Sequence, residues 1–201
     1  MAILPLTTLE NAKAYLGSSG AGVAWSPTAE GVASKMILAI SQSFENYSSH
    51  GFLLSAEPEK RIIHSDFLWC YRWPVASITS VQVSRSGRQA DLQTLSPDRY
   101  EIAPNGKGIC VWDVEPGSLV SYLYMGGLAQ DTADLISKYP DLEDLCLLQF
   151  AAEWSRHNRP DRNGLDLGST GNITWNGEIK LLSHVEMRLD QDYVSQADFL
   201  A

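Results

Sequence analysis

Apolar residues recur at two different periods along this chain, and the change of period divides it. After Pro27, the residues Ala33, Met36, Ile37, Ile40, Phe44 and Tyr47 follow one another at steps of three and four, with one adjacent pair. That spacing lines one face of an α-helix. Ser26 and Pro27 supply its start, because a hydroxyl accepts from the free N–H groups of the first turn and proline is tolerated there. The pattern predicts a helix over residues 27–48. Upstream, Thr7 or Thr8 can cap a short helix over 7–16, closed by Gly17. The stretch from Gly17 to Trp25, rich in Gly, Ser and Ala, reads as a loop.

The period then shortens to two. Ile62, Ile63, Phe67, Trp69 and Tyr71 suit a strand pair or one bent strand. Thr79, Val81 and Val83 alternate with polar neighbours, as do Tyr100 and Ile102. Ser86-Gly87, Asn105-Gly106 and Pro116-Gly117 provide reversals, since glycine reaches positive φ without steric cost. The expectation is an antiparallel meander of four to five strands inserted over residues 61–126. Helical spacing returns over 140–158, with Asp141, Glu143 and Asp144 in the first turn and Arg156, His157 and Arg159 in the last, both placements favourable to the helix dipole. Leu142, Leu145, Cys146, Leu147, Leu148, Phe150, Ala151, Ala152 and Trp154 make this helix apolar nearly all round, so it needs cover on more than one side, from its own sheet or from a neighbouring subunit.

Beyond Asn158 the composition shifts. Residues 161–177 are rich in Gly, Asn and Asp and read as an arm. Asn176-Gly177 suits a hairpin turn, and Leu181, Leu182, Val185 and Leu189 suit a short amphipathic helix. The whole reads as an α+β fold: a small helical bundle with an inserted β-meander, a core over 1–160, and an extended C-terminal docking arm over 161–201. The candidate interface residues are Leu147, Phe150 and Trp154 on the apolar helix, with Trp175, Leu181, Val185, Tyr193 and Phe199 on the arm.

Charge narrows the function. The net charge is −9, and the 15 lysines and arginines are scattered. Gripping nucleic acid through its phosphates requires a clustered basic face. Charged residues make up 19% of the chain, below the ~25% of ordinary soluble domains, which suits a subunit that buries outer surface in an assembly. Cys70, Cys110 and Cys146 lack any CxxC spacing and read as free core thiols. Met1 to Leu6 carries neither the basic start nor the apolar stretch of a secretory leader. No run approaches the ~20 apolar residues of a membrane span. Cytoplasm-like surroundings are expected.

Catalytic patterns are not found. The chain contains no GxSxG, no phosphate-cradling glycine loop and no HExxH. His50, His64, His157 and His184 are dispersed. His64-Ser65-Asp66 has the residue types of a nucleophile relay, but consecutive strand residues alternate faces and cannot converge. Asp161-x-Asn163-Gly164-x-Asp166 resembles a calcium loop only in part, because its glycine comes early and the closing Glu is missing. No metal or cofactor is expected. Of the six tryptophans, Trp73, Trp112 and Trp154 read as core. Trp25 and Trp175 stand in polar surroundings and suit an interface anchor or, in a rival reading, a sugar-stacking platform.

Several phrases occur in a telling order. They run Leu6-Thr7-Thr8-Leu9-Glu10-Asn11-Ala12-Lys13-Ala14-Tyr15-Leu16, then Phe44-Glu45-Asn46-Tyr47, then Arg72-Trp73-Pro74-Val75-Ala76-Ser77-Ile78-Thr79-Ser80-Val81, then Asp98-Arg99-Tyr100, then Val120-Ser121-Tyr122-Leu123-Tyr124-Met125-Gly126-Gly127. Together with the helix 141–158, this series resembles the head–tail connector family of tailed bacteriophages, also called adaptor or head-completion proteins. The resemblance covers residues 6–158. It implies a structural virion protein of the viral neck, made in the host cytoplasm, forming a homo-oligomeric ring, commonly of twelve copies, beneath the portal protein. Helices would line a channel through which DNA passes without specific binding. The β part and the tail would contact the portal or the next neck or tail protein. A stopper-type tail-completion protein is the near alternative. The chain departs from the pattern in the length of the loop 17–25 and in the extended tail.

Overall fold

The computed structural model describes residues 3–18, 25–157 and 179–193, which form two compact units. Among these residues the helical unit takes 3–18, 25–48, 131–157 and 179–193. The β unit takes 49–130.

In the helical unit, α1 (Leu9–Ser18), α2 (Pro27–Ser48), α3 (Thr132–Lys138), α4 (Pro140–His157) and α5 (Ser183–Asp192) surround one core. The anticipated caps form. Thr8 Oγ1 accepts from the Asn11 N–H at 3.1 Å, and Ser26 Oγ from that of Ala29 at 3.2 Å. Along α2 the predicted stripe faces inward: Ala33, Met36, Ile37, Ile40 and Phe44 are buried, while Tyr47 is half-buried. The hydroxyl of Ser41 donates to the Ile37 carbonyl at 2.8 Å and accepts from the Leu6 N–H at 3.0 Å, fixing the segment that precedes α1. Helix α3 was not foreseen. Its seven residues are too few to display a stripe, yet Asp131 caps it by accepting from the Asp134 N–H at 2.9 Å. It stops at Lys138 because Tyr139 precedes a proline, which disfavours the helical conformation. The cap backbone of Tyr139 sits at φ −133°.

The β unit departs from a single meander. Seven strands, β1 (Ser55–Ile62), β2 (Phe67–Trp69), β3 (Val75–Ser84), β4 (Gln93–Thr94), β5 (Tyr100–Ile102), β6 (Gly108–Val111) and β7 (Leu119–Gly126), form two antiparallel sheets ordered β1-β7-β3-β4 and β2-β6-β5. The first strand begins at Ser55 rather than near Arg61. Glu57-Pro58-Glu59-Lys60 is charged and contains proline, which argues against an interior strand. At a sheet edge Pro58 and Lys60 face solvent, where the missing N–H goes unneeded, while Glu57 and Glu59 turn inward to polar partners. The apolar run after Ile62 is divided between sheets because the chain bends at 64–66. Strand β7 is central, with Val120, Tyr122 and Tyr124 on its buried face. These pack with Ile63, Leu68, Val75, Val81, Ile109 and Val111 into one core. Gly108, opposite Trp69, allows the close approach of β2: a Cβ there would lie 2.2 Å from the Leu68 carbonyl oxygen.

Candidate assembly surfaces

The six candidate interface residues that fall among the described residues are all buried within the chain. Leu147, Phe150 and Trp154 on α4, and Leu181, Val185 and Tyr193 around α5, are each less than a tenth exposed. The apolar circumference of α4 is covered by its own bundle, since α1, α2 and α3 all pack against it. Trp25 adds an outer layer. Its ring stacks on Trp154 at 5.0 Å, and the Lys13 ammonium lies over it, 5.7 Å from the ring centre. With a face on Trp154, Trp25 is a packing residue rather than an open sugar platform. Trp175 and Phe199, the predicted hairpin at Asn176-Gly177 and the Asp161–Asp166 stretch lie outside the described residues.

Buried polar side chains explain how α5 is held. Gln149, fully buried on α4, donates from Nε2 to the Lys180 carbonyl at 3.1 Å and accepts on Oε1 from the Leu182 N–H at 2.9 Å. At the other end of the helix the Tyr193 hydroxyl donates to Asp141 Oδ2 at 2.8 Å. Val185 and Leu189 fill the space between. Glu143 joins α4 to the N-terminal segment, accepting on Oε1 from the Thr7 hydroxyl at 2.8 Å and from Asn11 Nδ2 at 2.7 Å. Two of the three acidic residues at the start of α4 therefore make long-range contacts, beyond their favourable place at the helix N-terminus.

The β unit carries a second polar cluster. Glu59 Oε1 accepts from the Tyr71 N–H at 2.7 Å and from the Tyr124 hydroxyl, which in turn accepts from the Arg72 N–H at 2.9 Å. The Tyr122 hydroxyl lies 3.0 Å from Glu59 Oε2 and 2.9 Å from the Trp69 carbonyl, with one proton to share between them. Burial first, and the Glu59 charge second, push the Tyr122 phenol well above its ordinary range, and burial leads the same shift at Tyr124. Burial and then Glu59 likewise raise the Cys70 thiol. Arg72 is almost fully buried, its Nε 3.0 Å from Glu57 Oε2 and an Nη donating to the Leu53 carbonyl at 2.7 Å. These groups fasten the edge strand β1 and the chain before it to β7. The cluster was not foreseen, because its members come from three separate strands and share no sequence spacing.

Other expected features fall as follows. Cys70 and Cys146 are buried and Cys110 is half-buried, and all three are free thiols. Trp73 is buried against His50, but Trp112, expected in the core, is 38% exposed. It ends β6 where the strand leaves the sheet, so its ring passes beyond the last cross-strand neighbour. His64, Ser65 and Asp66 lie in an exposed bend. Among the described residues no three His, Cys, Asp or Glu side chains gather as a metal group, and no helix is long and apolar enough to cross a membrane.

Two concavities stand out among the described residues. One of about 420 Å³ in the β unit is lined by Arg85 and Arg99 but also by Asp91 and Asp113, so its charge is balanced. The other, about 290 Å³ in the helical unit, runs between the segment before α1 and the outer side of α2, and ends on Leu38, one of few large apolar residues left exposed.

No protein-family model matches the chain, and no curated protein matches it. Solved structures do. A chain from the neck of an empty gene transfer agent particle, computed with C6 symmetry, shares 11% identity and a TM-score of 0.54, with 97% of this chain and 96% of that one covered. A chain from the virion of a native gene transfer agent particle shares 11% identity and a TM-score of 0.59, covering 97% and 93%. At that identity the likeness is one of fold. This chain has the α+β fold found in those particles.

Proposed function

We propose that this chain is a structural virion protein of the neck of a tailed phage or phage-like particle, a head-to-tail adaptor that acts by assembly rather than by chemistry. The observation that carries the reading is the likeness of fold over 97% of the chain to a chain of a gene transfer agent neck. It coincides with the ordered phrases from Leu6 to Gly127 that resemble the connector family. The C6 symmetry of that neck supports a ring of identical subunits, each meeting the next through two different surfaces. Portal protein on one side and the next neck or tail protein on the other are the expected partners. The net charge of −9 favours a conduit past which DNA slides without adhering.

The arm from residue 161 onward takes a divided role in this reading. The part around α5 serves its own subunit, so docking to other rings falls to residues 158–178 and 194–201, which include Trp175 and Phe199. Light scattering coupled to size exclusion, with electron microscopy of the same fractions, tests the proposal. Closed rings of the purified chain that bind isolated portal complexes support an adaptor. Rings that bind only after another neck protein has been added point to the stopper-type role. A chain that stays monomeric at high concentration, alone and with portal, refutes both.

A further inference from the structure

We infer that the groove beside Leu38 receives Leu148 of a second copy of this chain, a head-to-tail contact that builds the ring; the inference rests on the proposed assembly role. The groove is apolar in effect as well as in shape. Pro5, Leu9, Ile37 and Leu38 supply carbon surface. Three of the four hydroxyls at its walls donate into the subunit, Thr7 to Glu143, Ser34 to the Glu30 carbonyl and Thr132 to the Pro5 carbonyl, and the fourth, on Thr8, accepts from the Asn11 N–H. An occupant is therefore recognised by an apolar side chain and not by hydrogen bonds. Its volume of about 290 Å³ accommodates one large aliphatic side chain with part of the helix that bears it.

The same unit presents such a side chain elsewhere. On α4, otherwise buried around most of its circumference, Leu148 is 39% exposed. Helices α2 and α4 pack on one another, and Leu38 and Leu148 stand on the strips that each leaves outside that contact. One patch is concave and the other convex, so the contact joins unlike surfaces and can repeat from subunit to subunit around a ring. Charge agrees with shape. Lys35 lies three residues before Leu38 on the exposed side of α2, and Asp144 lies four residues before Leu148 on that of α4. Neither forms an ion pair among the described residues. Seating Leu148 in the groove brings an exposed carboxylate toward an exposed ammonium, and two like subunits placed groove to groove gain nothing comparable.

Leu38→Asp and Leu148→Asp test the contact by sedimentation velocity. Both sites are surface-exposed, and circular dichroism confirms that the variants fold. Each variant alone loses association, by about a hundredfold in affinity as a leucine's burial is forfeited. Each keeps one intact patch, so an equimolar mixture forms a heterodimer and nothing larger. Lys35→Glu and Asp144→Lys each weaken association by about threefold, the size expected of an exposed pair, and the double reversal restores it. If both leucine variants still assemble into wild-type rings, the ring stands and this interface is wrong. A mixture of the two that shows no heterodimer at concentrations far above those at which wild-type rings form also overturns the pairing. A wild-type chain that never associates removes the ring reading and this contact together.

Discussion

His50 gives the β unit a pH dependence that a single substitution removes. The side chain is fully buried, its ring 3.8 Å from that of Trp73 and nearly parallel, with Phe52 edge-on at 5.1 Å. Nε2 lies 2.5 Å from the Trp73 carbonyl oxygen and 3.3 Å from the Trp73 backbone nitrogen, and Nδ1 has no partner among the described residues. Protonation would place a cation there. Burial opposes it most, the Trp73 carbonyl favours it, and the Arg72 and Lys107 charges oppose it further, so the imidazole titrates at about 3 rather than 6.5. The unfolded chain binds a proton below pH 6.5 and the folded chain only near pH 3. Stability from this group is therefore complete above 6.5 and is lost as pH falls toward 3, at ~1.4 kcal/mol per pH unit. Between pH 7.5 and pH 4 the loss is about 3 kcal/mol. His50→Phe retains the stack on Trp73 but leaves a buried carbonyl unpaired, at a cost of about 1–2 kcal/mol. The variant should thus be less stable than wild type at pH 7.5, equal at about pH 5 to 6, and more stable at pH 4. Urea unfolding followed by tryptophan fluorescence at each pH measures the difference. A difference that holds constant from pH 7.5 to 4 refutes the reasoning, as does an imidazole carbon shift that titrates near 6.5 in the folded protein.

Other parts of the structure make sharper demands. Tyr124→Phe strands the Arg72 N–H and removes one of the two bonds on Glu59 Oε1, and should lower the stability of the β unit by about 2 kcal/mol, read from the urea midpoint. Gly108→Ala drives a methyl against the Leu68 carbonyl and should cost about 3 kcal/mol or prevent β2 from pairing, seen as lost amide protection at Cys70 and Val111. Gln149→Leu abandons the Lys180 and Leu182 backbone groups; limited proteolysis should then cleave near residue 181 several-fold faster while α4 stays protected. Deleting residues 194–201 should leave helicity and melting unchanged and weaken capture of the portal complex; unchanged capture would mean that the terminal segment makes no part of that contact.

The helices were legible in the chain because each carries its own signal. The stripe and the Ser26-Pro27 start of α2 set both its ends at 27 and 48, and the acidic first turn of α4 set its beginning at Pro140. What failed in the β region failed for a common reason. Edge strand β1 has no apolar alternation to show, and the division of Ile62 through Trp69 between two sheets depends on partners, Leu119 and Cys110, some fifty and forty residues away. Local pattern reports which face of a segment is buried but not against what. The same limit governed the candidate interface. Leu147, Phe150 and Trp154 were recognised as needing cover, and the cover proved to be within the subunit, because Gln149 captures residues 180–182 through bonds that no hydrophobic count contains. The residue that α4 leaves outside, Leu148, was hidden among nine apolar neighbours; its one signal was Asp144 four places earlier and Ser155 seven places later, a thin polar line down an otherwise apolar helix.

That internal closure bears on how such a subunit could assemble. Had α4 offered Leu147, Phe150 and Trp154 to a neighbour, each free subunit would have exposed an apolar face large enough to aggregate before meeting its partners. With those residues covered, the proposed contact between copies contributes little more than one leucine in a groove and one exposed ion pair. A single contact of that size is weak, and an open pair of subunits dissociates readily. Closing a ring changes the balance, since the last subunit makes two contacts for the loss of one set of rotational and translational freedoms. Assembly should then be steeply concentration-dependent, with monomers and complete rings and few intermediates between. A portal complex that presents its own symmetric array of sites would lower the threshold by gathering subunits already in register. Sedimentation velocity across a dilution series checks this: two boundaries, monomer and ring, whose proportion shifts to ring when portal is added, are expected, and a smooth ladder of dimers, trimers and tetramers would contradict it.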